Sequence, residues 1–294
     1  MLSPDSSSRI RNLVELNIAV LLFGVTALFA KLINLPATAI IFGRAVVAAI
    51  AILVYVLIRR IPIRPESRKD FWVLISTGLL LAVHWVTYFK ALQVSTVAIG
   101  TIALHTYPII TVLVEPLVDR VKLRLTDLLM ALIVLVGIVV LVPEFSLEST
   151  VTQGILWGIA SAVMFTIRNL MVRRHVQRYS GATVMLYQTA VSALVLLPVV
   201  ASMGNLGPVV ENWQKFLLVG TVFTALTQTL YASSLRHLSA KTVSIIASLL
   251  PLYSTIFAAI ILAEVPSIRT VIGGIIVMGA VLFETLRVAS RRGA

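Results

Sequence analysis

Long apolar stretches separated by short polar connections run along the whole chain. A helix needs about 20 mostly apolar residues to cross a bilayer. Ten such stretches occur, at roughly 13–33, 38–58, 71–91, 97–117, 125–142, 154–173, 182–201, 213–234, 243–263 and 268–286. Breakers such as Pro36, Pro143 and Pro266 mark most connections. The break from Arg236 to Thr242 is the least marked, so a count of nine stays open. The pattern predicts an all-α membrane protein.

The two halves of the chain also resemble each other. A shift of 143 positions places Tyr88 on Tyr231 and Pro108 on Pro251 without a gap. A repeat of five helices has an odd number of crossings, so its second copy must be inverted in the membrane. Inverted repeats are the recurring plan of secondary transporters, with the substrate site between the halves. We therefore predict two inverted five-helix repeats, residues 1–145 and 146–294, around a central cavity.

The composition supports a membrane protein and excludes several kinds of functional site. The chain is 59% hydrophobic and 12% charged, against about 25% charged residues in a soluble protein. It contains no cysteine, which excludes disulfides, thiolate metal sites and cysteine nucleophiles. The formal net charge of +12 does not indicate nucleic acid, because the basic residues lie in short runs between apolar segments.

The distribution of those basic residues predicts the orientation. With the N-terminus inside, alternate connections and the two termini hold 18 of the 24 lysines and arginines, and the other connections hold four. The remaining two, Arg44 and Arg168, lie inside predicted helices. Cytoplasmic loops are enriched in Lys and Arg. Both termini are therefore predicted to be cytoplasmic in a multi-pass protein of the cell inner membrane.

Several short motifs resemble the EamA-type, ten-helix branch of the drug/metabolite transporter superfamily. The motifs are Phe23-Gly24 with Lys31, Phe42-Gly43-Arg44 with Ala48-Ala49, Pro251 followed thirteen residues later by Glu264, and Gly273-Gly274. One departure is the spacing of seven between Pro108 and Glu115 in the first half, which argues against giving Glu115 the role of Glu264. The resemblance implies an exporter of amino acids or metabolites with a cavity lined by helices 1–4 and 6–9.

Ionisable residues inside membrane helices are functional candidates, because burying a charge in lipid is costly. Arg44 and Arg168 are expected at mirrored depths, where a guanidinium could hold a substrate carboxylate or phosphate. The alternative is that each arginine reaches the interface or bonds neighbouring backbone carbonyls. Arg168 shares a helical face with Trp157, Ser161 and Met164, which favours a cavity wall.

Two histidines are expected near the middle of helices 3 and 4. His84 lies one turn before Tyr88, and His105 lies one turn after Thr101. A histidine there could shuttle protons or only hydrogen-bond a neighbouring helix. Burial disfavours the charged form, and no Asp or Glu is expected at mid-membrane. We therefore predict neutral histidines and a facilitative carrier.

These observations lead to one predicted site and function. We predict a secondary transporter that exports small amino acids or related metabolites by alternating access, with no cofactor, no metal and no nucleic-acid partner. Its partners are a small-molecule substrate and membrane lipid, and a monomer is compatible with the sequence. The alternatives are an exporter of organic cations or drugs and, less favoured, an intramembrane enzyme, for which no nucleophile or acid–base pair converges at one depth. The predicted substrate-binding residues are Arg44, His84, Trp85, Tyr88, His105, Tyr107, Trp157, Arg168, Gln228 and Tyr231.

Overall fold

Helices form all of the regular secondary structure in the described part of the chain. A computed structural model describes residues 4–119, 125–144, 146–176, 178–204, 206–231, 238 and 240–292. A π-helical stretch, Thr221–Leu226, continues the tenth helix, and helical backbone extends to Tyr231. The helices are α1 Pro4–Leu32, α2 Ala37–Ile58, α3 Arg68–Val94, α4 Val97–Leu104, α5 Tyr107–Asp119, α6 Leu125–Leu141, α7 Thr150–His175, α8 Gly181–Ala201, α9 Gly207–Glu211, α10 Trp213–Gly220, α11 Ala240–Ala247, α12 Leu250–Leu262 and α13 Ile268–Arg292.

Eight of the described helical segments are long and apolar enough to cross a membrane. They agree with eight of the ten predicted stretches, and the prediction of a multi-pass, all-helical chain is confirmed to that extent. The other two stretches are helical as well. Helix α6 has 17 residues, the lower limit for a span, and α10 continues through its π-helical stretch. The end of the predicted 213–234 segment and residues 236, 237 and 239 of the Arg236 to Thr242 break lie outside the described residues, so ten crossings stay a prediction.

Short polar side chains begin several helices where an apolar stretch follows. The Ser67 hydroxyl accepts the Asp70 N–H at 3.1 Å, Thr96 accepts the Ile99 N–H at 3.2 Å, and Ser180 accepts the Thr183 N–H at 3.0 Å. The first N–H groups of a helix have no partner inside it, and they cannot be left unpaired next to lipid. These caps fix where α3, α4 and α8 start.

Two of the spans are broken at equivalent positions. Helix α4 ends at Leu104 and α5 begins at Tyr107; helix α11 ends at Ala247 and α12 begins at Leu250. The shift of 143 residues that aligns the prolines also aligns both ends of the two breaks. Pro108 and Pro251 are each the second residue of the helix after the break, where the missing N–H costs nothing. Proline therefore restarts both helices at equivalent positions of the two halves.

The helices of the two halves interlock rather than form separate bundles. Helix α3 packs on α7 and α8, α2 packs on α8 and α10, α6 packs on α13, and α1 packs on α12. A large buried cluster joins α1, α2, α3 and α8, and a second joins α4, α6 and α13. Each half therefore completes the apolar core of the other.

Close contact between α4 and α7 depends on a glycine. A Cβ atom built on Gly158 would lie 2.5 Å from the Ala103 Cβ, whereas one on Gly279 would meet nothing within 4 Å. The Gly158→Ala variant should therefore lose about 1–3 kcal/mol of stability, because α4 must move away. The matched Gly279→Ala variant should be neutral or slightly stabilised. Thermal unfolding of both variants in detergent measures the difference, and equal melting temperatures would contradict the close packing.

Candidate functional site

A cavity of about 360 Å³ lies between the two halves. Helices α1, α2, α3, α4, α5, α7, α11 and α12 and the helical stretch before Tyr231 contribute to its wall, which includes both broken spans. The volume falls in the usual range for small-molecule pockets. Nine of the ten predicted substrate-binding residues line this one cavity: Arg44, His84, Trp85, Tyr88, His105, Tyr107, Arg168, Gln228 and Tyr231. The structure brings them together, and their role in binding stays a prediction.

Trp157 does not line the cavity. Its side chain is 41% exposed on the outside of α7. The helical face that it shares with Ser161 and Arg168 is continuous on an isolated helix, but the neighbours of α7 change along its length. Near Trp157 the contact to α4 is made by Gly158, whereas Ser161 bonds His84 on α3. Trp157 is therefore not part of the cavity wall that contains Arg168.

The cavity also contains residues that the sequence analysis did not select. Phe23 on α1, and Phe165 and Asn169 on α7, line it together with Arg168. Phe165 follows the buried Ser161 by four residues, and Asn169 follows Phe165 by four. The i, i+4 spacing of Ser161, Phe165 and Asn169, which places them on one helical face, was the signal available in the sequence.

Arg44 is buried among neutral groups. Its exposed fraction is 3%, and its Nε–H donates to the Thr224 hydroxyl at 2.9 Å. Its guanidinium carbon lies 4.1 Å from the centroid of the Trp85 ring, within the range of a cation–π interaction. Thr224 belongs to the π-helical stretch, and its hydroxyl donates to the Val219 carbonyl five residues earlier at 2.8 Å. The π-helical geometry thus presents an acceptor to Arg44.

Arg168 has neutral hydrogen-bond partners as well. Its Nη1 donates to Asn169 Oδ1 at 2.9 Å, and its Nη2 donates to Gln188 Oε1 and lies 3.7 Å from the Met185 sulfur. Its Nε and the Nε2 of Gln188 are buried donors without an acceptor. A buried donor that makes no hydrogen bond costs about 1–3 kcal/mol. The groups around Arg168 therefore provide fewer hydrogen-bond acceptors than there are donors.

Both cavity histidines have one ring nitrogen held by a backbone carbonyl. His105 Nδ1 lies 2.9 Å from the Thr101 carbonyl oxygen, and His84 Nδ1 lies 3.2 Å from the Ser161 carbonyl and 2.7 Å from its hydroxyl. The Ser161 hydroxyl itself donates to the His84 carbonyl at 2.8 Å. Because a carbonyl only accepts, Nδ1 is the donor in both rings. In a neutral ring, Nε2 is then an acceptor.

Aromatic rings form much of the remaining wall. The Phe165 ring lies 4.7 Å from the His84 ring and 4.9 Å, edge to face, from the Tyr107 ring. The Tyr88 hydroxyl lies 3.0 Å from the Thr101 hydroxyl. Within the described residues, no three His, Asp or Glu side chains come together as metal ligands would. The wall thus combines apolar surface, two guanidinium groups and a few neutral polar atoms.

Two ion pairs lie at opposite ends of the helices that bound the cavity. Lys31, in the last turn of α1, pairs with Glu264, just after α12. Its Nζ also donates to the Ser95 carbonyl at 2.6 Å, and Glu264 accepts the Val97 N–H at 2.8 Å. Arg173, near the end of α7, pairs with Glu115 on α5 at 2.7 Å. Each pair joins the first helix of one half to the broken span of the other.

The sequence spacing had argued against a shared role for Glu115 and Glu264. In the structure both glutamates pair with a basic residue on the first helix of the opposite half. The two glutamates lie at different distances from the breaks. Glu115 lies within α5, whereas Glu264 follows the end of α12. A correspondence based on spacing alone could not detect this pairing.

Comparison with known proteins identifies relatives along nearly the whole chain. The model of the EamA-like transporter family matches residues 16–142 and again 152–286. The "Uncharacterized transporter YxxF" of Bacillus subtilis is 22% identical over 292 residues, which cover 97% of this chain and 93% of that protein. The "Pseudopaline exporter CntI" of Pseudomonas aeruginosa is 25% identical over 247 residues, which cover 84% of this chain and 85% of that protein.

A solved structure shares the fold. A crystal structure of a protein with 19% sequence identity superposes with a TM-score of 0.65 and covers 97% of this chain and 98% of its own. At this identity the likeness concerns the fold alone. The same helical architecture therefore occurs in an experimentally determined protein.

Proposed function

Because the chain belongs to the EamA-like transporter family, and is thus a multi-pass membrane transporter, we propose that it exports small amino acids or related metabolites by facilitative alternating access. The observation that carries this proposal is the cavity between the two broken spans. Broken membrane helices present unpaired backbone groups to a substrate at the middle of the membrane. Here both breaks, at His105-Thr106 and Ser248-Leu249, border a cavity with charged and aromatic walls.

The proposed architecture is ten crossings in two inverted repeats, residues 1–145 and 146–294. Three observations support it: the two separate matches to one family model, the equivalent breaks, and the packing pattern. Exchanging the halves turns the α3–α8 contact into the α10–α2 contact, and it turns the contacts of α7 with α4 and α5 into those of α1 with α11 and α12. The contacts between α2 and α8 and between α6 and α13 map onto themselves. A pseudo-twofold axis in the membrane plane would relate contacts in this way, and the pattern therefore supports the proposed inverted repeat.

The two ion pairs supply gates for such a mechanism. In the proposed orientation, with both termini cytoplasmic in the inner membrane, Lys31 and Glu264 close the outer end and Arg173 and Glu115 lie at the inner end. Alternating access requires that one end opens while the other is closed. An ion pair that crosses between the halves at each end can break and reform as the halves rock.

The second candidate is an exporter of organic cations. The aromatic wall favours it, because cations bind the faces of such rings. Two guanidinium groups in the same wall oppose it by like-charge repulsion. An enzymatic function has less support, because the relatives are named as transporters.

A flux assay tests the proposed function. Purified protein in liposomes should release preloaded radiolabelled amino acids with saturable kinetics, and empty liposomes should not. Trp85→Leu should lower this flux by at least about tenfold, since it removes a cavity wall and the ring over Arg44. The matched Trp157→Leu change lies outside the cavity and should leave flux near the wild-type value.

The same liposomes test the facilitative mode. With equal substrate on both sides, an imposed pH gradient should produce no net accumulation, because the described residues of the cavity include histidines held as hydrogen-bond donors and no carboxylate. Equal folded protein must first be verified by size-exclusion chromatography. Flux that is unchanged by Trp85→Leu would remove the cavity from the mechanism, and accumulation driven by the pH gradient would show proton coupling.

A further inference from the structure

The charge of the cavity wall is unbalanced. Its described residues include two guanidinium groups, Arg44 and Arg168, and no Asp or Glu. Each described partner of these two arginines is neutral: a threonine hydroxyl and aromatic rings for Arg44, and amide oxygens and a thioether for Arg168. Arginine does not lose its proton in proteins, so both charges persist. The wall therefore carries two positive charges that side chains within the cavity do not compensate.

Elsewhere in the described part of the chain, every Lys and Arg side chain that is at least partly buried pairs with a carboxylate, and so does the more exposed Arg178. Lys31 pairs with Glu264, Arg173 with Glu115, Arg178 with Asp70, and Arg287 with Asp127 and Glu284. Leaving a buried charge unpaired is costly. Among the partly buried basic residues that the structure describes, the exceptions are Arg44 and Arg168 in the cavity, which indicates that the missing negative charge comes with the substrate.

Resting on the proposed function, we infer that the substrate is a small organic anion with two anionic groups, one held near Arg44 and the other near Arg168. Arg168 supplies the donor that lacks an acceptor, its Nε, next to the equally unpaired Nε2 of Gln188. The neutral His84 and His105 rings leave Nε2 acceptors for an N–H group of the same molecule. An amino acid with an additional carboxylate has this combination of groups.

A net negative charge gives a facilitative carrier a direction. An inside-negative membrane potential drives an anion outward, by a factor of about ten for each charge at about 60 mV. The final concentration ratio depends on the charge moved in a full cycle. The two arginines belong to the carrier, which regains its starting state after each cycle, so their charges do not alter this ratio. Export then needs neither ATP nor a proton-binding carboxylate in the cavity.

The test uses pairs of compounds that differ by one charge. Liposomes containing the full chain are loaded with an equimolar mixture of glutamate and glutamine, succinate and succinamate, alanine, and lysine, and efflux is measured with a potassium gradient and valinomycin. We expect the acid of each pair to leave at least about tenfold faster than its amide. At about 60 mV, inside negative, the outside-to-inside concentration ratio at equilibrium should be about tenfold for glutamate and about a hundredfold for succinate.

Three variants separate the role of Arg168 from folding. Arg168→Gln should reduce the preference for acid over amide by at least about tenfold, Arg168→Lys should retain part of it, and the exposed Arg269→Gln should leave it unchanged. Saturable efflux of alanine, lysine or the amides at rates equal to the acids would overturn this inference and leave the proposed function standing. Absence of saturable efflux of every compound in the mixture would contradict both.

Discussion

The Arg287→Leu variant is expected to lose about 3–5 kcal/mol of stability, because it removes the guanidinium that pairs with two buried carboxylates. Arg287, on α13, pairs with Asp127 at the start of α6 and with Glu284 one turn earlier on its own helix. The side chains of Asp127 and Glu284 are only 8% and 1% exposed. Since α6 and α13 pack along their lengths, this cluster joins the fifth and the last predicted spans.

A rescue experiment separates charge from packing. The triple variant Arg287→Leu, Asp127→Asn, Glu284→Gln removes all three charges and should recover most of the lost stability, since neutral groups of similar shape often replace a buried ion cluster at little cost. Arg11→Leu is the matched control, because Arg11 is 73% exposed and its pair with Glu15 contributes little. Thermal unfolding in detergent compares the four proteins. A triple variant no more stable than Arg287→Leu would show that the charges are not the cause.

The second large effect is expected from Lys31→Met. This change removes the charge that holds Glu264 and the Ser95 carbonyl together at one end of the cavity. The state that is closed at that end should lose about 1–3 kcal/mol, which shifts the population of the open state by about 5- to 150-fold. The cycle requires both states, so net transport should fall as well.

Cysteine labelling measures this shift directly. The chain has no cysteine, so Leu104→Cys, in the cavity wall, provides a single reactive group. A membrane-impermeant thiol reagent added outside intact cells should label it at least about fivefold faster after Lys31→Met. Arg173→Met, at the other gate, should slow the same reaction. The charge exchange Lys31→Glu with Glu264→Lys should bring the rate part of the way back, because the exchanged pair attracts again but loses the bonds to the Ser95 carbonyl and the Val97 N–H. Equal rates in all of these proteins would disprove the gate.

The sequence by itself determined the apolar spans, the equivalent prolines and half of the residues that line the cavity. Span length, helix restart at Pro108 and Pro251, and polar residues in apolar helices are local properties, and each costs free energy wherever the helix is placed. The position of a polar residue near the middle of a span therefore predicted that it would face the interior. That reasoning selected nine residues that line one cavity.

The tertiary structure alone decided which charges have partners. Lys31 with Glu264 and Arg287 with Asp127 are far apart in the sequence, and Arg168 has only neutral partners because no described carboxylate of a neighbouring helix reaches it. The same holds for Trp157, which faces outward because α4 contacts the adjacent glycine. Helical periodicity states which residues share a face, but the neighbour of that face changes along the helix. Pairing and exposure depend on that neighbour, and packing of the two halves determines it.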